Sequence, residues 1–216
     1  MARAFGANLR YPSPVAGIDR ERWNERYRAE DGVPPPSPWL DLIAPLLPCT
    51  GRALDLGGGS GRNALWLAAR GLEVTLADLS DVALERAARE ARARRLPLAT
   101  ARVDLEEDAA PPGPWDLVLC LYFLHRPLLA AAPSLLRPGG ILAVAHATRR
   151  NLERHPRPGP RHVLEEGELP TLVRGLEVLR SEEGWLEGGR HEARLVARRP
   201  AEDLSPASIA PRSGAG

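Results

Sequence analysis

The chain has 216 residues, 44% hydrophobic and 26% charged, the balance of one ordinary folded domain rather than a disordered or fibrous chain. All 29 of its basic residues are arginine, so a Walker A phosphate loop, a Schiff-base or pyridoxal-phosphate enzyme and a kinase-type lysine are excluded, because each needs a primary amine. A net charge of +1 does not read as a nucleic-acid binder, and two cysteines, Cys49 and Cys120, exclude a disulfide scaffold or Cys-rich metal site.

Residues 1–17 show no period and are expected as a loosely held arm. DRERWNERYRA (19–29) follows, with Ile18, Trp23 and Tyr27 spaced along one side of a short helix. After DGVPPPSP, Ser37 is expected to cap a second helix, with Pro38 in its first turn and Trp39, Leu42, Ile43 and Leu46 on its apolar face. ALDL (53–56) reads as a strand, GGGSG (57–61) as a turn and RNALWLAAR (62–70) as a helix closed by Gly71. LEVTLAD (72–78) is the next strand. Residues 80–95 form a helix with Leu84, Ala87, Ala88 and Ala91 inward and the pairs Glu85–Arg89 and Glu90–Arg94 outward. PLATARVDL (97–105) reads as a third strand and WDLVLCLYF (115–123) as a fourth, apolar on both faces as a central parallel strand is. A helix from His125, a Pro138-Gly139-Gly140 turn and ILAVAHA (141–147) continue the alternation, which means an α/β fold with a parallel sheet covered on both faces. Residues 176–185 and 190–199 are two strands joined too closely to be anything but antiparallel, and the chain is expected to fray from Pro200.

The strongest local signal is LDLGGGSGR (54–62), since a glycine-rich turn between strand and helix lets backbone approach a bound ligand. Two ligand classes compete. The frame Gly59 to Ala64 satisfies a loose dinucleotide pattern, which keeps an NAD-linked oxidoreductase open but leaves Asp55 without a role. An S-adenosylmethionine site uses the acid, because Asp55 just before the glycines can orient the loop or meet the cationic amino-acid end of that cofactor. Asp78 closes the second strand, where a carboxylate can hold both ribose hydroxyls or simply stand before the next helix. Asp104, in VDLEED, reads either as a partner for an adenine amine, with Leu105 on the ring, or as one solvated acid among several.

Together these pieces resemble the class I S-adenosylmethionine-dependent methyltransferases: LDLGGGSGR, the acid Asp78, VDLEED, WDLVLCLYF followed by PGG and a further strand, and the closing antiparallel pair. RNALWLAARG, YFLHRPLL and the lead segment WNERY (23–27) resemble the tellurite-resistance and thiopurine-methyltransferase-like branch. The resemblance implies a Rossmann-like, doubly wound sheet of seven strands in three α/β/α layers, with a C-terminal hairpin. It divides the chain into an arm with a short covering helix (1–37), a methyltransferase domain (38–199) and a tail (200–216). It implies that Asp55, Gly57, Gly59 and Gly61 line the methionine end, with Arg62 and Asn63 adding polar contacts. Asp78 and Leu79 lie at the ribose, Asp104 and Leu105 at the adenine, Leu121 beside the methionine part, and Trp23 over the cofactor. The loop of this chain has GGG where that family commonly has GCG or GTG.

Methyl transfer from a sulfonium needs alignment more than acid–base help, so an essential catalytic residue is not required. His125, Tyr122 and His146 are the candidates for a base or orienter, each equally readable as a packing or capping residue. Arg149, Arg154 and Arg157 lie in an Arg-rich stretch (149–163) that favours an anionic small-molecule substrate, although a solvated loop explains the same letters. RNA is disfavoured because no aromatic residue is interleaved for stacking. The five histidines lack zinc spacing, so no metal is expected. No apolar run reaches membrane length and no signal-peptide core is present, so a cytoplasmic location with no membrane contact is expected. Monomer and homodimer both stay open, as does a silent S-adenosylmethionine-binding protein.

Overall fold

The computed structural model describes residues 14–201. The expectations for the arm before residue 14 and for the tail from 202 onward lie outside the described residues.

One sheet of seven strands organises the chain, in the order β3-β2-β1-β4-β5-β7-β6. β1 (Arg52–Leu56), β2 (Glu73–Asp78), β3 (Leu98–Arg102), β4 (Trp115–Leu121) and β5 (Leu136–Ala147) run parallel. β7 (His191–Arg198) lies antiparallel between β5 and β6 (Glu177–Trp185). The register pairs Ala147 with Glu192 and Ala145 with Arg194, so the start of β7 meets the end of β5. β4 is apolar throughout because both of its faces are covered: Leu117, Leu119 and Leu121 enter one core cluster and Val118 and Cys120 the other.

The first core cluster is formed with α2 (Trp39–Ile43), α3 (Arg62–Ala69) and α4 (Asp81–Arg94), and the second with α5 (Arg126–Leu135) and α6 (Leu169–Leu172). Three layers, α/β/α, result. α1 (Pro14–Ala29) packs on α4. Among the described residues no helix is long and apolar enough to cross a membrane.

Several local expectations change. Ser37 does not cap the second helix with its hydroxyl: Pro38 stands at the cap, and the Ser37 Oγ is buried without a partner. The chain there tightens after Ile43 into a 3-10 turn, Ala44–Leu46. β3 ends at Arg102, so Asp104 follows the strand in a turn, and β4 ends at Leu121 rather than continuing through Phe123. β5 begins at Leu136, and the expected turn appears within it as a bulge at Gly139, φ 78°, where the register against β4 shifts between Leu136 and Ile141. Of the two pairs expected on α4, Glu90–Arg94 forms at 2.5 Å.

Candidate active site

β1, β2 and β4 end at the same edge of the sheet, and their last side chains meet there. Asp55 is fully buried, on the face of β1 toward α3, and neither of its carboxylate oxygens has a hydrogen-bond partner. Burial, then the neighbouring charge of Asp78, pushes its carboxyl up to about 7, with Arg62 and the Ala64 amide opposing. The loop that follows is shaped by three left-handed residues, Gly57, Gly59 and Gly61, at φ of 64°, 57° and 82°. Gly58 has ordinary φ, yet a Cβ there would strike Leu76 and come within 2.5 Å of Asp55 Oδ2. The extra glycine therefore makes room for the buried acid.

Asp78 ends β2 and grips the loop: its Oδ2 accepts from the Gly59 amide at 2.8 Å and its Oδ1 from the Ser80 amide at 2.9 Å. Burial raises its pKa, and the amides of Ser80, Gly59 and Leu79 hold the rise down. Each oxygen keeps a lone pair. Leu79 beside it is half-buried. Ser80 caps α4 through the Ala83 amide and donates its hydroxyl proton to Asn24 of α1 at 2.7 Å. Arg86 donates to the Tyr27 and Gly32 carbonyls at 2.7 and 3.0 Å, so the end of α1 is held from α4. That brings the Tyr27 hydroxyl onto the loop, where a Cβ on Gly59 would collide with it. Burial, then Asp78, raises the Tyr27 pKa and keeps the phenol protonated. Trp23 stacks on Tyr27 with ring centroids 6.1 Å apart rather than meeting the loop itself. Phe123 stands over Gly57.

Around the expected residue Tyr122, just past the end of β4, the structure adds three residues that sequence reasoning missed, Arg190, Glu192 and Arg194 around the start of β7. Tyr122 sits at φ 65° with its amide on the Ala145 carbonyl. Its hydroxyl faces Glu192 at 3.4 Å, and Glu192 is paired with Arg194 at 3.0 Å. The guanidinium groups of Arg62 and Arg190 lie against its ring. No local pattern announces this cluster, since Arg190, Glu192 and Arg194 read simply as alternate positions of a strand.

The remaining expected site residues have these surroundings. Asn63 is buried and spends its Oδ1 on the Ser37 amide, fixing the start of α2 rather than facing the loop. His146 is on the face of β5 toward α5, with Nε2 on the His162 carbonyl at 2.8 Å; desolvation lowers its pKa to about 4. It is therefore separated by the sheet from the face that holds Asp55. His125 stands at the start of α5 without capping it, and its Nδ1 is buried without a partner. Asp104 folds back on the Glu106 amide, and Leu105 is buried in the core cluster beside β4 and α5. The Arg-rich stretch is structured and partly neutralised: Arg149 pairs with Glu165, Arg150 with Glu153, and Arg154 lies 3.8 Å over the Trp185 ring. Arg157 has no ion pair among the described residues; its carbonyl accepts from Asn151.

A family model described as a methyltransferase domain matches residues 53–140, from β1 into β5. The chain is 33% identical over 130 residues to the tRNA 5-carboxymethoxyuridine methyltransferase of Escherichia coli K12, covering 54% of this chain and 49% of that protein. A solved structure concerned with converting a disulfide bond into a thioacetal group in echinomycin biosynthesis superposes with a TM-score of 0.66 at 23% identity, covering 87% of this chain and 95% of the other. TehB from Haemophilus influenzae superposes at 0.61 and 24% identity, covering 74% and 60%. The chain has the class I methyltransferase fold. It spans about half the length of the curated relatives it matches. The strand order itself separates this methyltransferase fold from dinucleotide-binding sheets, whose six strands are all parallel, because β7 is reversed between β5 and β6.

The residues at the edge fit S-adenosylmethionine. Asp55 is an unpartnered buried acid suited to a cationic ligand, Asp78 retains acceptor capacity for a diol, and Gly57 and Gly58 keep the partly exposed part of the loop free of side chains.

Proposed function

We propose that this chain transfers a methyl group from S-adenosylmethionine to a small acceptor that is anionic or a soft nucleophile such as a thiol or metalloid anion. The observation that carries the reading is the Asp55 carboxylate, fully buried and unpartnered beside a side-chain-free loop and facing the same edge as Asp78. An acid left so is costly unless a cationic ligand completes it. The cofactor supplies a methyl on a positively charged sulfur, which an acceptor lone pair displaces in line as the carbon–sulfur electron pair returns to sulfur and any acceptor proton leaves to solvent.

The chain's part is to bind and align. Asp55 with Gly57, Gly59 and Gly61 takes the amino-acid end, Asp78 and Leu79 the ribose, Asp104 and Leu105 the adenine side, and Leu121 and Tyr122 flank the transferring group. Tyr27, backed by Trp23, covers the loop from α1. The covering helix and the likeness to TehB support the tellurite-resistance and thiopurine-like branch. A small acceptor is favoured over RNA by the near-neutral net charge, although the Escherichia coli relative is named for a tRNA nucleoside.

Calorimetric titration of ligand-free protein with S-adenosylhomocysteine, with NAD in parallel, tests the reading. Micromolar binding of the former alone is expected, and Asp78→Ala is expected to weaken it more than tenfold, because the Gly59 amide and the ribose contact are lost together. Binding of NAD alone, or of neither, would sink the proposal.

A further inference from the structure

Beside the cofactor edge, around Tyr122, lies a charged cluster whose residues in and just before β7, Arg190, Glu192 and Arg194, the cofactor assignment leaves unused. It gathers four segments around the Tyr122 ring: the end of β4, the start of α3, the turn before β7 and the start of β7. The Arg62 guanidinium carbon is 5.5 Å from the ring centroid and that of Arg190 is 4.8 Å. Both cations thus lie against one aromatic ring, and Arg62 directly follows Gly61 of the glycine loop.

How the charges are spent decides what the cluster can hold. Glu192 has a side chain 1% exposed, and its partner in the interior is Arg194, 13% exposed and 3.0 Å away. Arg194 also faces Glu182 at 3.8 Å, which in turn accepts from the Trp39 indole. That network continues outward to Arg180, which pairs with Glu182 at 2.9 Å. Arg190 touches it with Nε alone, at 3.5 Å from Glu192, and its side chain is 43% exposed. Arg62 has no ion pair among the described residues, and Asp55 acts on it only through space. Two guanidinium groups with donors to spare therefore frame a tyrosine whose hydroxyl is already committed to Glu192. Guanidinium donors in a planar fork match an oxyanion, and contact with the ring helps keep their long side chains in place.

We propose that Arg62 and Arg190 form an anion clamp for the methyl acceptor, which is a small molecule bearing a carboxylate or comparable oxyanion. Resting on the methyl-transfer reading, this moves anion recognition from the Arg-rich stretch to the ring of Tyr122. Glu192 and Tyr122 are positioning residues: the carboxylate anchors Arg190 from behind and the ring supports both cations. A guanidinium withdraws electron density from the oxygen it grips, so the gripped oxyanion is the handle and the methyl goes to a separate hydroxyl, thiol or amine of the same molecule.

The test begins with protein saturated with S-adenosylhomocysteine, so that failure of cofactor binding is seen first and overturns the methyl-transfer reading together with the clamp. The complex is then titrated calorimetrically with a panel of hydroxybenzoates, mercaptobenzoates and aliphatic hydroxy acids, each beside its carboxamide. The acid is expected to bind at least tenfold tighter than the amide in at least one pair, and to lose affinity as salt rises. Arg190→Gln is expected to abolish that preference with S-adenosylhomocysteine still bound at wild-type affinity, and Arg190→Lys to restore part of it. If cofactor binds but no acid is preferred over its amide, or the preference survives Arg190→Gln, the clamp is wrong while methyl transfer stands. A preference lost instead on joint Arg154→Gln and Arg157→Gln substitution would return the anion site to the Arg-rich stretch.

Discussion

Asp55 concentrates the chemistry of this chain in one residue. A carboxylate with no partner, enclosed by Gly58, Leu76 and the end of β2, is more stable protonated than charged. Its folded-state pKa of about 7 lies above the ordinary carboxylate value, so the folded chain holds a proton that the unfolded chain releases near 4. The stabilising contribution is thus complete below the unfolded pKa and is lost as pH rises through the folded one. Asp78 is shifted in the same direction by burial. In the ligand-free protein Asp55→Asn is expected to flatten the fall in stability between about pH 4 and pH 7. At pH 8 it should raise stability by at least ~1 kcal/mol, a melting rise of roughly 2–4 °C. The same substitution removes the charge offered to a cationic ligand, so it should weaken S-adenosylhomocysteine binding at pH 8. Thermal unfolding across pH, paired with calorimetry, checks both halves. A parallel decline in wild type and variant would mean that Asp55 is not the titrating group.

At the scale of elements, α1 and α4 are joined by a short relay that ends on the glycine loop. Asn24 accepts from the Ser80 hydroxyl and, at 3.3 Å, from the Val82 amide, while Ser80 serves α4 as its cap. Asp78 ties the same stretch to Gly59. A change in how α1 sits is thereby felt at the loop, which the Tyr27 hydroxyl touches. Asn24→Ala leaves the Ser80 hydroxyl without its acceptor, a loss of about 1 kcal/mol, and loosens the cover without touching the loop's own residues. The expected result is S-adenosylhomocysteine dissociation several-fold faster than in wild type, read by stopped-flow. An unchanged dissociation rate would show that α1 does not gate the site.

For the molecule as a whole, stability resides in the double-sided sheet rather than in the helices' own preferences. Leu117 in β4 is fully buried between Ala53 of β1 and Ile141 of β5. Leu117→Ala is expected to cost ~2–5 kcal/mol, read from denaturant unfolding, because the surrounding strands cannot close the space. The folded fraction should keep its affinity for S-adenosylhomocysteine, since the loop is positioned by the strand ends and not by the middle of β4. A large affinity loss at matched folded fraction would show that the strand centre and the site are coupled.

The amino-acid sequence by itself determined the order of strands and helices and the glycine loop with its two acids. These rest on short-range physics: residues 62–70 and 80–95 read as helices from their period and caps, and form as Arg62–Ala69 and Asp81–Arg94. The closing hairpin was equally legible, because the four residues between 185 and 190 leave the chain no other way to return. Tertiary structure alone decided which polar groups are spent and which remain free. Asn63, adjacent to the loop in sequence, is consumed by Ser37, and Arg149 is neutralised by Glu165, whereas Arg62 and Arg190 meet across Tyr122 with donors unused. Such pairings join segments with no shared period. They depend on the register of β7 against β5 and on which face of the sheet each side chain occupies, and no local pattern of residues carries that information.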